Sequence, residues 1–248
     1  MQRRGMVLVT GGSRGIGAAT VRLAAEAGFG VVFTYVSRED AARALVADLV
    51  QRGHRAHCIE ADVGEPDHID RLMSSLPQDM GPLVGLVNNA GLTGPLGAFV
   101  DTSLETMRRV TAVNVIGTML LSRYVVAAWL AAGTHGSIVN VSSIAATLGA
   151  PGEYVHYAAT KGAVESFTIG LAKELAATGI RVNAVSPGTT LTDIHATAGE
   201  PGRPQRVASR IPMQRVARPQ EIAEAIVWLL EDKASYVTGS VLKVAGGS

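Results

Sequence analysis

Short runs of aliphatic and β-branched residues alternate along this chain with longer, alanine-rich stretches whose apolar positions follow helical spacing. This alternation predicts βαβ units, in which helices cover both faces of a mostly parallel sheet. The seven predicted strands span residues 6–9, 30–35, 55–60, 83–87, 136–141, 181–186 and 241–244. The predicted helices span residues 16–27, 39–52, 67–76, 104–132, 154–177 and 220–230.

The alternation is interrupted once, between Thr192 and Pro219, where Gly, Pro, Arg and Thr are frequent. A segment of this length without strand character usually has a function of its own. The whole length of 248 residues suits one large core. We therefore predict a single domain over residues 1–248, with a substrate-covering flap at about 192–219.

Composition excludes several classes of protein. Hydrophobic residues make up 47% and charged residues 17%, as expected for a sheet buried on both faces. The net charge of +1 provides no broad basic surface for nucleic acid. A single cysteine, Cys58, cannot form an intramolecular disulfide and fits a reducing compartment. No segment approaches the ~20 apolar residues of a membrane helix, so we predict a soluble cytoplasmic protein that binds no membrane.

Tyr157 and Lys161 carry the strongest chemical signal. Residues four apart lie on one face of a helix, so the lysine cation favours the phenolate. We expect it to lower the pKa of Tyr157 from its usual value of about 10. Ser143, or less favourably Ser142, lies 14 or 15 residues earlier and could hold a carbonyl or alcohol oxygen beside the phenol. This set predicts proton transfer in a redox enzyme.

A glycine-rich turn, Thr10-Gly-Gly-Ser-Arg-Gly-Ile-Gly17, follows the first predicted strand and opens a helix. Gly11 would form the tight turn, Gly15 would let a phosphate approach the helix N-terminus, and Gly17 would permit close helix–strand packing. The alternative is an ordinary glycine-rich turn. The regular series of strands that follows favours a nucleotide site.

The second predicted strand indicates which nucleotide is bound. An acid at its end would bind the adenosine ribose and select NAD. The strand instead continues Thr34-Tyr35-Val36-Ser37-Arg38, without an acid. Arg38, together with Arg14, could pair with a 2′-phosphate. We therefore predict that NADP(H) is preferred; NAD(H) stays possible because either arginine could be a solvated surface residue.

Two further segments follow predicted strands. The Asp62 carboxylate could accept a hydrogen bond from the adenine amino group, or could cap the next helix. Asn88-Asn-Ala-Gly91 offers small residues and amides where a backbone could pass close to a cofactor, although it could also be a turn.

Together with Asp62-Val63, Asn114, Ser143, Tyr157-x-x-x-Lys161 and Pro187-Gly188, these motifs resemble the classical short-chain dehydrogenase/reductase family over the whole chain. The resemblance implies a Rossmann-type doubly wound sheet of order 3-2-1-4-5-6-7, a nicotinamide cofactor and frequently a homotetramer. It also implies a catalytic tetrad of Asn114, Ser143, Tyr157 and Lys161. The candidate cofactor contacts are Gly11, Ser13, Arg14, Gly15, Ile16, Gly17, Arg38, Asp62, Val63, Asn88, Ala90, Gly91, Tyr157, Lys161, Pro187, Gly188, Thr189 and Thr192.

The resemblance assigns a role to each member of the tetrad. In reduction, Ser143 would hydrogen-bond the carbonyl and Tyr157 would protonate the developing alkoxide. Lys161 would lower the tyrosine pKa and bind the nicotinamide ribose, and Asn114 would hold a water that feeds a proton relay. Thr189 and Thr192 would contact the carboxamide or a phosphate.

The predicted activity is the interconversion of a carbonyl and a secondary alcohol, and the flap resembles that of bacterial glucose 1-dehydrogenase-like members. From position alone, the candidate substrate contacts are Leu92, Thr93, Tyr154, His156, His195, Glu200 and Arg203. One alternative is a 3-oxoacyl carrier-protein reductase, which needs a basic patch such as Arg203, Arg206, Arg210, Arg215 and Arg218. An alternative from another class is a nucleotide-sensing protein without turnover.

A metal site is not expected. His54, His57, Cys58 and His68 are close in sequence, but His57 and Cys58 are adjacent on a predicted strand and face opposite sides of the sheet.

Overall fold

The computed structural model describes residues 4–248; residues 1–3 of the predicted domain lie outside this range. It contains a parallel seven-stranded sheet of order β3-β2-β1-β4-β5-β6-β7, which confirms the predicted fold class. The strands are β1 (Met6–Val9), β2 (Gly30–Tyr35), β3 (Ala56–Glu60), β4 (Leu83–Asn88), β5 (Ser137–Val141), β6 (Arg181–Pro187) and β7 (Val241–Val244). Each begins and ends within one residue of its predicted bounds.

The ten helices of this part of the chain include all six predicted ones. They are α1 (Gly15–Glu26), α2 (Glu39–Gln51), α3 (Pro66–Ser74), α4 (Leu104–Thr111), α5 (Thr118–Ala132), α6 (Ala145–Leu148), α7 (Val155–Leu175), α8 (Ile194–Thr197), α9 (Arg203–Ala208) and α10 (Pro219–Leu230). Short 3₁₀ turns at 78–80, 99–101, 176–178 and 232–234 complete the connections.

The sheet is buried on both faces because its strands are apolar at consecutive positions. Val7 and Val31 face a core formed with α1, α2 and α10. Leu8 and Val32, one residue further along the same strands, face a second core formed with α3, α5 and α7. This opposite orientation of neighbouring side chains follows from the pleat of the strand.

The predicted helix over 104–132 is interrupted by a π-helical turn at 112–117 between α4 and α5. The stretch Leu104–Ala132 is also long and apolar enough to pass a test for a membrane span, which corrects the expectation that no segment would. Core helices of soluble proteins pass the same test. Leu121, Val125 and Trp129 on α5 are buried against the sheet.

The carboxyl ends of the strands position the site. The chain crosses from β1 to β2 on one side and from β3 to β4 on the other, so a crevice opens beside β1 at the carboxyl edge. The segment 192–219, predicted as a flap, contains the two short helices α8 and α9 above this edge. A parallel bridge from Thr190 to Ala217 joins the two ends of the segment.

Candidate functional site

A large cleft of about 1110 Å³ runs along the carboxyl edge of the sheet. It is lined by all the predicted cofactor contacts except Asn88 and by three members of the predicted tetrad, Ser143, Tyr157 and Lys161. The fold therefore brings these separate motifs to one surface.

The glycine turn between β1 and α1 forms one wall of the cleft. Gly11 and Gly15 have φ angles of +65° and +54°, which side chains other than glycine rarely adopt. A Cβ on Gly17 would lie 2.2 Å from the Gly11 carbonyl oxygen, so glycine is needed for close packing there. These conformations support the roles predicted for the three glycines.

The N-terminus of α1 opens into the cleft beside Gly15. Within the described chain, no side chain caps this helix and its first turn contains no acid. Free N–H groups and the positive end of the helix dipole favour an anion at this point. The geometry therefore fits the pyrophosphate of a dinucleotide, with Gly15, Ile16 and Gly17 as the residues that would hold it.

Arg14 and Arg38 line the same end of the cleft, close to the end of β2. Arg38 precedes α2, and its Nε lies 3.5 Å from Asp40 Oδ1 while half of the side chain is exposed. The ion pairs found among residues 4–248 do not include Arg14. Two guanidinium groups are thus available to an anionic group on the adenosine ribose.

Asp62 lines the cleft after β3, but its carboxylate already has protein partners. Oδ1 accepts a hydrogen bond from the Gly64 N–H at 2.9 Å, and Oδ2 pairs with Arg109 of α4. The sequence analysis did not single out Arg109, which also lines the cleft. No local motif reveals it, since the pair joins residues 47 positions apart.

Asn88 does not line the cleft, contrary to its prediction as a cofactor contact. As the last residue of β4 it points into the protein, where its Nδ2 donates to Ser122 Oγ (3.0 Å) and Asn140 Oδ1 (2.8 Å). The next residue, Asn89, does line the cleft and donates to the carbonyl oxygens of Thr10 and Gly11. The first asparagine thus supports the sheet, and the second holds the glycine turn.

Ser143 and Tyr157 meet in the middle of the cleft. Ser143 follows β5 and Tyr157 lies in the first turn of α7. Burial raises the pKa of the Tyr157 phenol, and a hydrogen bond with the Ser143 side chain opposes the rise. The direction differs from the predicted lowering by Lys161, because helical spacing does not reveal that the phenol is buried.

Lys161 lies one helical turn after Tyr157, and its Nζ is 5.6 Å from the centre of the Tyr157 ring. The ammonium donates a hydrogen bond to the Val141 carbonyl oxygen at 2.7 Å. Burial lowers the pKa of Lys161 to about 8, and Glu165 opposes this shift. The lysine therefore titrates close to neutral pH, beside a phenol that is hard to ionise.

Ser142 and Ser143 face different partners, as expected for neighbouring residues at a strand end. The Ser142 hydroxyl is buried and donates to Glu165 Oε1 at 2.8 Å. Glu165 is one turn beyond Lys161 on α7. Ser142 is thus committed to the carboxylate that supports the lysine.

Asn114 lies within the π-helical turn and is buried outside the cleft lining. Its Oδ1 accepts from the Leu92 N–H at 2.8 Å, and its Nδ2 donates to the Leu92 carbonyl oxygen and to Thr160 Oγ1. The side chain thereby ties the loop after β4 to the helix that carries Tyr157 and Lys161. This contact assigns it a structural task that the sequence did not indicate.

The cleft beyond Tyr157 is formed by three segments far apart in sequence. Its apolar lining residues are Leu92, Pro95, Leu148, Ala150, Pro151, Tyr154, Ala198, Val207 and Ile211. Of the polar residues here, Thr93 donates to the Gly94 carbonyl oxygen and His195 contacts the Thr190 carbonyl oxygen. Burial lowers the pKa of His195, which favours the neutral imidazole. We call this region the substrate end.

Two predicted substrate contacts lie elsewhere. His156 points away from the cleft and is buried, with its Nε2 2.7 Å from the Thr93 carbonyl oxygen. Glu200 lies outside the lining and pairs with Arg206. The sequence analysis also missed Glu153, which lines the cleft and pairs with Arg203 and Arg206.

The predicted basic patch is largely neutralised by these pairs. Arg203 and Arg206 contact Glu153, while Arg215 and Arg218 contact Glu221. Among residues 4–248, no group of three or more His, Cys, Asp or Glu side chains could hold a metal ion.

Comparison with known proteins agrees with this geometry. The family model described as "Enoyl-(Acyl carrier protein) reductase" matches residues 11–248. The uncharacterised oxidoreductase YgfF of Escherichia coli K12 is 47% identical over 98% of this chain and 99% of its own length. The cis-4-hydroxycyclohexanecarboxylate dehydrogenase of Sinomonas cyclohexanicum is 41% identical over 98% of this chain and 95% of its own.

A solved structure gives the same result. The blue fluorescent protein from a metagenomic library, crystallised with NADPH, has a TM-score of 0.89 and 33% identity, over 99% of this chain and 98% of its own. The level of identity, the coverage and the sheet order lead to one conclusion. The chain belongs to the classical short-chain dehydrogenase/reductase family, whose members are NAD(P)-dependent oxidoreductases.

Proposed function

We propose that the protein is an NADP(H)-preferring oxidoreductase that interconverts a carbonyl and a secondary alcohol, with Tyr157 as the general acid and base. The observation that carries the proposal is the meeting of Ser143, Tyr157 and Lys161 inside the cleft that fits a dinucleotide. Binding alone does not require a buried phenol with a serine hydroxyl and a lysine beside it.

The side chains suggest a division of labour. A bound nicotinamide supplies or accepts the hydride. Ser143 hydrogen-bonds the substrate oxygen, and Tyr157 gives it a proton in reduction or removes one in oxidation. Because Lys161 has a pKa of about 8, it can exchange protons near neutral pH. Its cation also supports the tyrosinate that remains after proton donation.

The decisive experiment is Tyr157→Phe, with the exposed Tyr236→Phe as its control. We expect turnover to fall by roughly 10³-fold because general acid–base catalysis contributes about 10²- to 10⁴-fold. NADPH affinity, measured by fluorescence titration, should stay within about threefold, since both rings fill the same space. Undiminished turnover in Tyr157→Phe would overturn the assigned role.

The preference for NADP(H) is supported by Arg14 at the start of α1 and by Arg38 after β2, a strand that carries no acid. A guanidinium pairs well with a phosphate, which only NADP(H) bears at the ribose 2′ position. Titration of the unmodified protein with NADPH and NADH measures the preference directly. Equal dissociation constants would contradict it.

The substrate end favours a substrate with an apolar body, such as an aliphatic or alicyclic ketone. Its apolar lining is mainly aliphatic, and its polar side chains Thr93 and His195 already have partners within the protein. The charged residues Glu153 and Arg203 at its rim pair with each other. A sugar would leave many hydroxyls without partners there. Initial rates with diketones, cyclic ketones, aldehydes and steroids, compared with glucose oxidation, check this proposal. Efficient turnover of glucose alone would contradict it.

A 3-oxoacyl carrier-protein reductase remains the second candidate within the class. It needs a basic surface for an acidic carrier. Four of the five candidate arginines are paired with glutamates, and this weakens the support for such a surface. Rapid NADPH-dependent reduction of acetoacetyl thioesters would favour it. Tight NADPH binding without turnover on any substrate would instead support the nucleotide-sensing alternative.

We also propose that the protein is a homotetramer located in the cytoplasm, and that its chain forms a single domain with a flap at about 192–219. Light scattering of the purified protein measures the oligomeric state.

A further inference from the structure

A closed set of four charges joins the segment before α7 to the segment after β6. Glu153 Oε2 accepts from Arg203 Nη2 at 2.5 Å and from Arg203 Nε at 3.2 Å. Glu153 Oε1 accepts from Arg206 Nη2 at 3.0 Å. Arg206 also donates to both carboxylate oxygens of Glu200, at 2.6 and 2.8 Å. Two acids and two bases thus neutralise each other at the rim of the substrate end.

We propose that Glu153 and Arg203 are positioning residues, which hold α9 over the substrate end and set the charge that acts on Tyr157. The proposal rests on the assigned role of Tyr157 but concerns residues outside the glycine turn and the set of Ser143, Tyr157 and Lys161. Neither residue needs to touch the reacting atoms for this task.

The first support is burial. The Arg203 side chain is only 12% exposed and that of Glu153 23%, whereas the pair of Arg52 with Glu26 leaves 47% and 40% of its side chains accessible. A partly buried pair is less screened by water and salt than a surface pair. Two nitrogens of the Arg203 guanidinium donate to one carboxylate oxygen of Glu153, which restricts the orientation of the guanidinium.

The second support is the backbone. The Leu96 N–H donates to the Ala198 carbonyl oxygen at 3.1 Å, and the Gly97 N–H donates to the Glu153 carbonyl oxygen at 2.9 Å. The loop after β4, the residues before α7 and the residues around α8 are therefore joined at one place. The Glu153–Arg203 pair adds a charged contact to this junction.

The third support is the path to the catalytic tyrosine. The Arg203 guanidinium lies 5.4 Å from the centre of the Tyr154 ring, and that ring meets the Tyr157 ring edge to face at 5.3 Å. The groups facing the Tyr157 phenol are Ser143, Lys161, Tyr154 and Arg203. The positive charge of Arg203 lowers the pKa of Tyr157 against the effect of burial. Glu153 limits this influence because it neutralises the same guanidinium.

The variants Glu153→Gln, Arg203→Gln and Arg203→Lys separate these effects. Glu26→Gln is the matched control, because its pair with Arg52 joins two helices far from the cleft. Hydrogen–deuterium exchange of residues 194–208 reports how firmly the segment is held. We expect all three variants at Glu153 and Arg203 to raise the exchange rate of this segment about tenfold or more. Glutamine removes one charge of the pair, and lysine has only one nitrogen with which to donate. Glu26→Gln should leave the rate unchanged.

Ultraviolet titration of tyrosinate measures the second effect, as the difference from the same variant combined with Tyr157→Phe. Arg203→Gln should raise the pKa of Tyr157, and Glu153→Gln should lower it because the guanidinium is no longer neutralised. Arg203→Lys keeps the charge and should leave the pKa close to that of the unmodified protein. A purely structural role would not raise the pKa of Tyr157 in one variant and lower it in the other.

Both measurements are made without turnover, so they are independent of the proposed reaction. Unchanged exchange in Glu153→Gln and Arg203→Gln would overturn the holding role. An unchanged Tyr157 pKa in both variants, or a shift in the same direction in both, would overturn the electrostatic role. If both effects appear while Tyr157→Phe retains full turnover, the positioning is real and the assigned chemistry is wrong.

Discussion

The two ends of the cleft are built in different ways. The cofactor end is formed by short motifs at the ends of neighbouring strands, and much of its surface is backbone, as in the turn that contains Gly11 and Gly15. The substrate end is formed by side chains from three distant segments, held by contacts such as Glu153 with Arg203, which are 50 positions apart. One end depends on backbone conformation, and the other depends on tertiary contacts.

This difference explains how a family can keep one cofactor and change its substrate. Backbone N–H groups at a helix N-terminus bind a phosphate whatever the neighbouring side chains are. An apolar pocket, in contrast, changes its preference by only about 1–3 kcal/mol for each altered methylene group. The apolar lining of the substrate end can therefore vary without changing the backbone of the glycine turn.

The largest expected effect is that of Gly17→Ala, which disrupts the close packing of the glycine turn at the cofactor end of the cleft. The new Cβ would lie 2.2 Å from the Gly11 carbonyl oxygen, and that backbone atom cannot move without opening the turn. We expect a loss of about 3 kcal/mol in the free energy of unfolding, at the upper end of typical overpacking costs. NADPH affinity should fall at least about tenfold.

Gly170→Ala on α7 is the matched control, because nothing lies within 4 Å of its added Cβ. Alanine there should stabilise the helix by up to about 1 kcal/mol. Urea unfolding and NADPH titration of both variants give the comparison. Equal stability of the two proteins would contradict the argument from close packing.

The second prediction concerns Lys161, in the proposed catalytic set between the two ends. Burial lowers the pKa of Lys161 from 10.5 to about 8, which corresponds to a cost of about 3 kcal/mol for folding with the cation. Lys161→Met removes this cost but also a hydrogen bond from a charged donor, worth about 2 kcal/mol. We expect the variant to be inactive and, because the two effects differ by about 1 kcal/mol, more stable at pH 7 by about that amount.

The pH dependence follows from the same shift. Between pH 8 and 10.5 the unfolded chain keeps the Lys161 proton while the folded protein loses it. The free energy of unfolding of the unmodified protein therefore receives a contribution that rises with pH in this window. The greater stability of Lys161→Met relative to the unmodified protein shrinks accordingly. Urea unfolding of both proteins at pH 7 and pH 10 measures this difference in the free energy of unfolding. The control is Lys173→Met on the exposed side of α7, which should show no such gain.

The smallest expected effect sharpens the description of the cofactor end. Arg38→Asp places a negative charge where a 2′-phosphate would lie, so NADPH affinity should fall about tenfold, equivalent to about 1.4 kcal/mol. NADH affinity should hold or rise, because a carboxylate can accept from the ribose hydroxyls. Arg43→Asp, in the helix α2 that Arg38 precedes and outside the cleft lining, should leave the ratio of NADPH to NADH affinity unchanged. A ratio that does not move in Arg38→Asp would exclude Arg38 as the phosphate contact.

The sequence predicted the sheet well because its strands are continuous apolar runs at regular intervals, as in Gly30–Tyr35. It was less informative where a tertiary contact decides a residue's position. Asn88 and Asn89 are equivalent in a motif, but the pleat turns the first into the core and the second toward the cleft. The π-helical turn around Asn114 is likewise invisible in a helical pattern.

Electrostatics shows the same limit. The spacing of Tyr157 and Lys161 placed them on one helical face, but the direction of the Tyr157 pKa shift depends on burial that only the packed structure provides. The arginines of 203–218 suggest a basic patch in the sequence, and the carboxylate of Glu153, about 50 positions away, is seen to pair with two of them only in the structure.

By itself, the sequence determined the order of elements, the glycine turn and the helical pairing of tyrosine and lysine, because these depend on neighbours within a few residues. The tertiary structure decided which side chains are buried, which charges are neutralised and which segments close the substrate end. Those properties arise from contacts between residues tens of positions apart, and the free energy of such a contact depends on the solvent it excludes. The local sequence pattern does not show how much solvent a contact excludes.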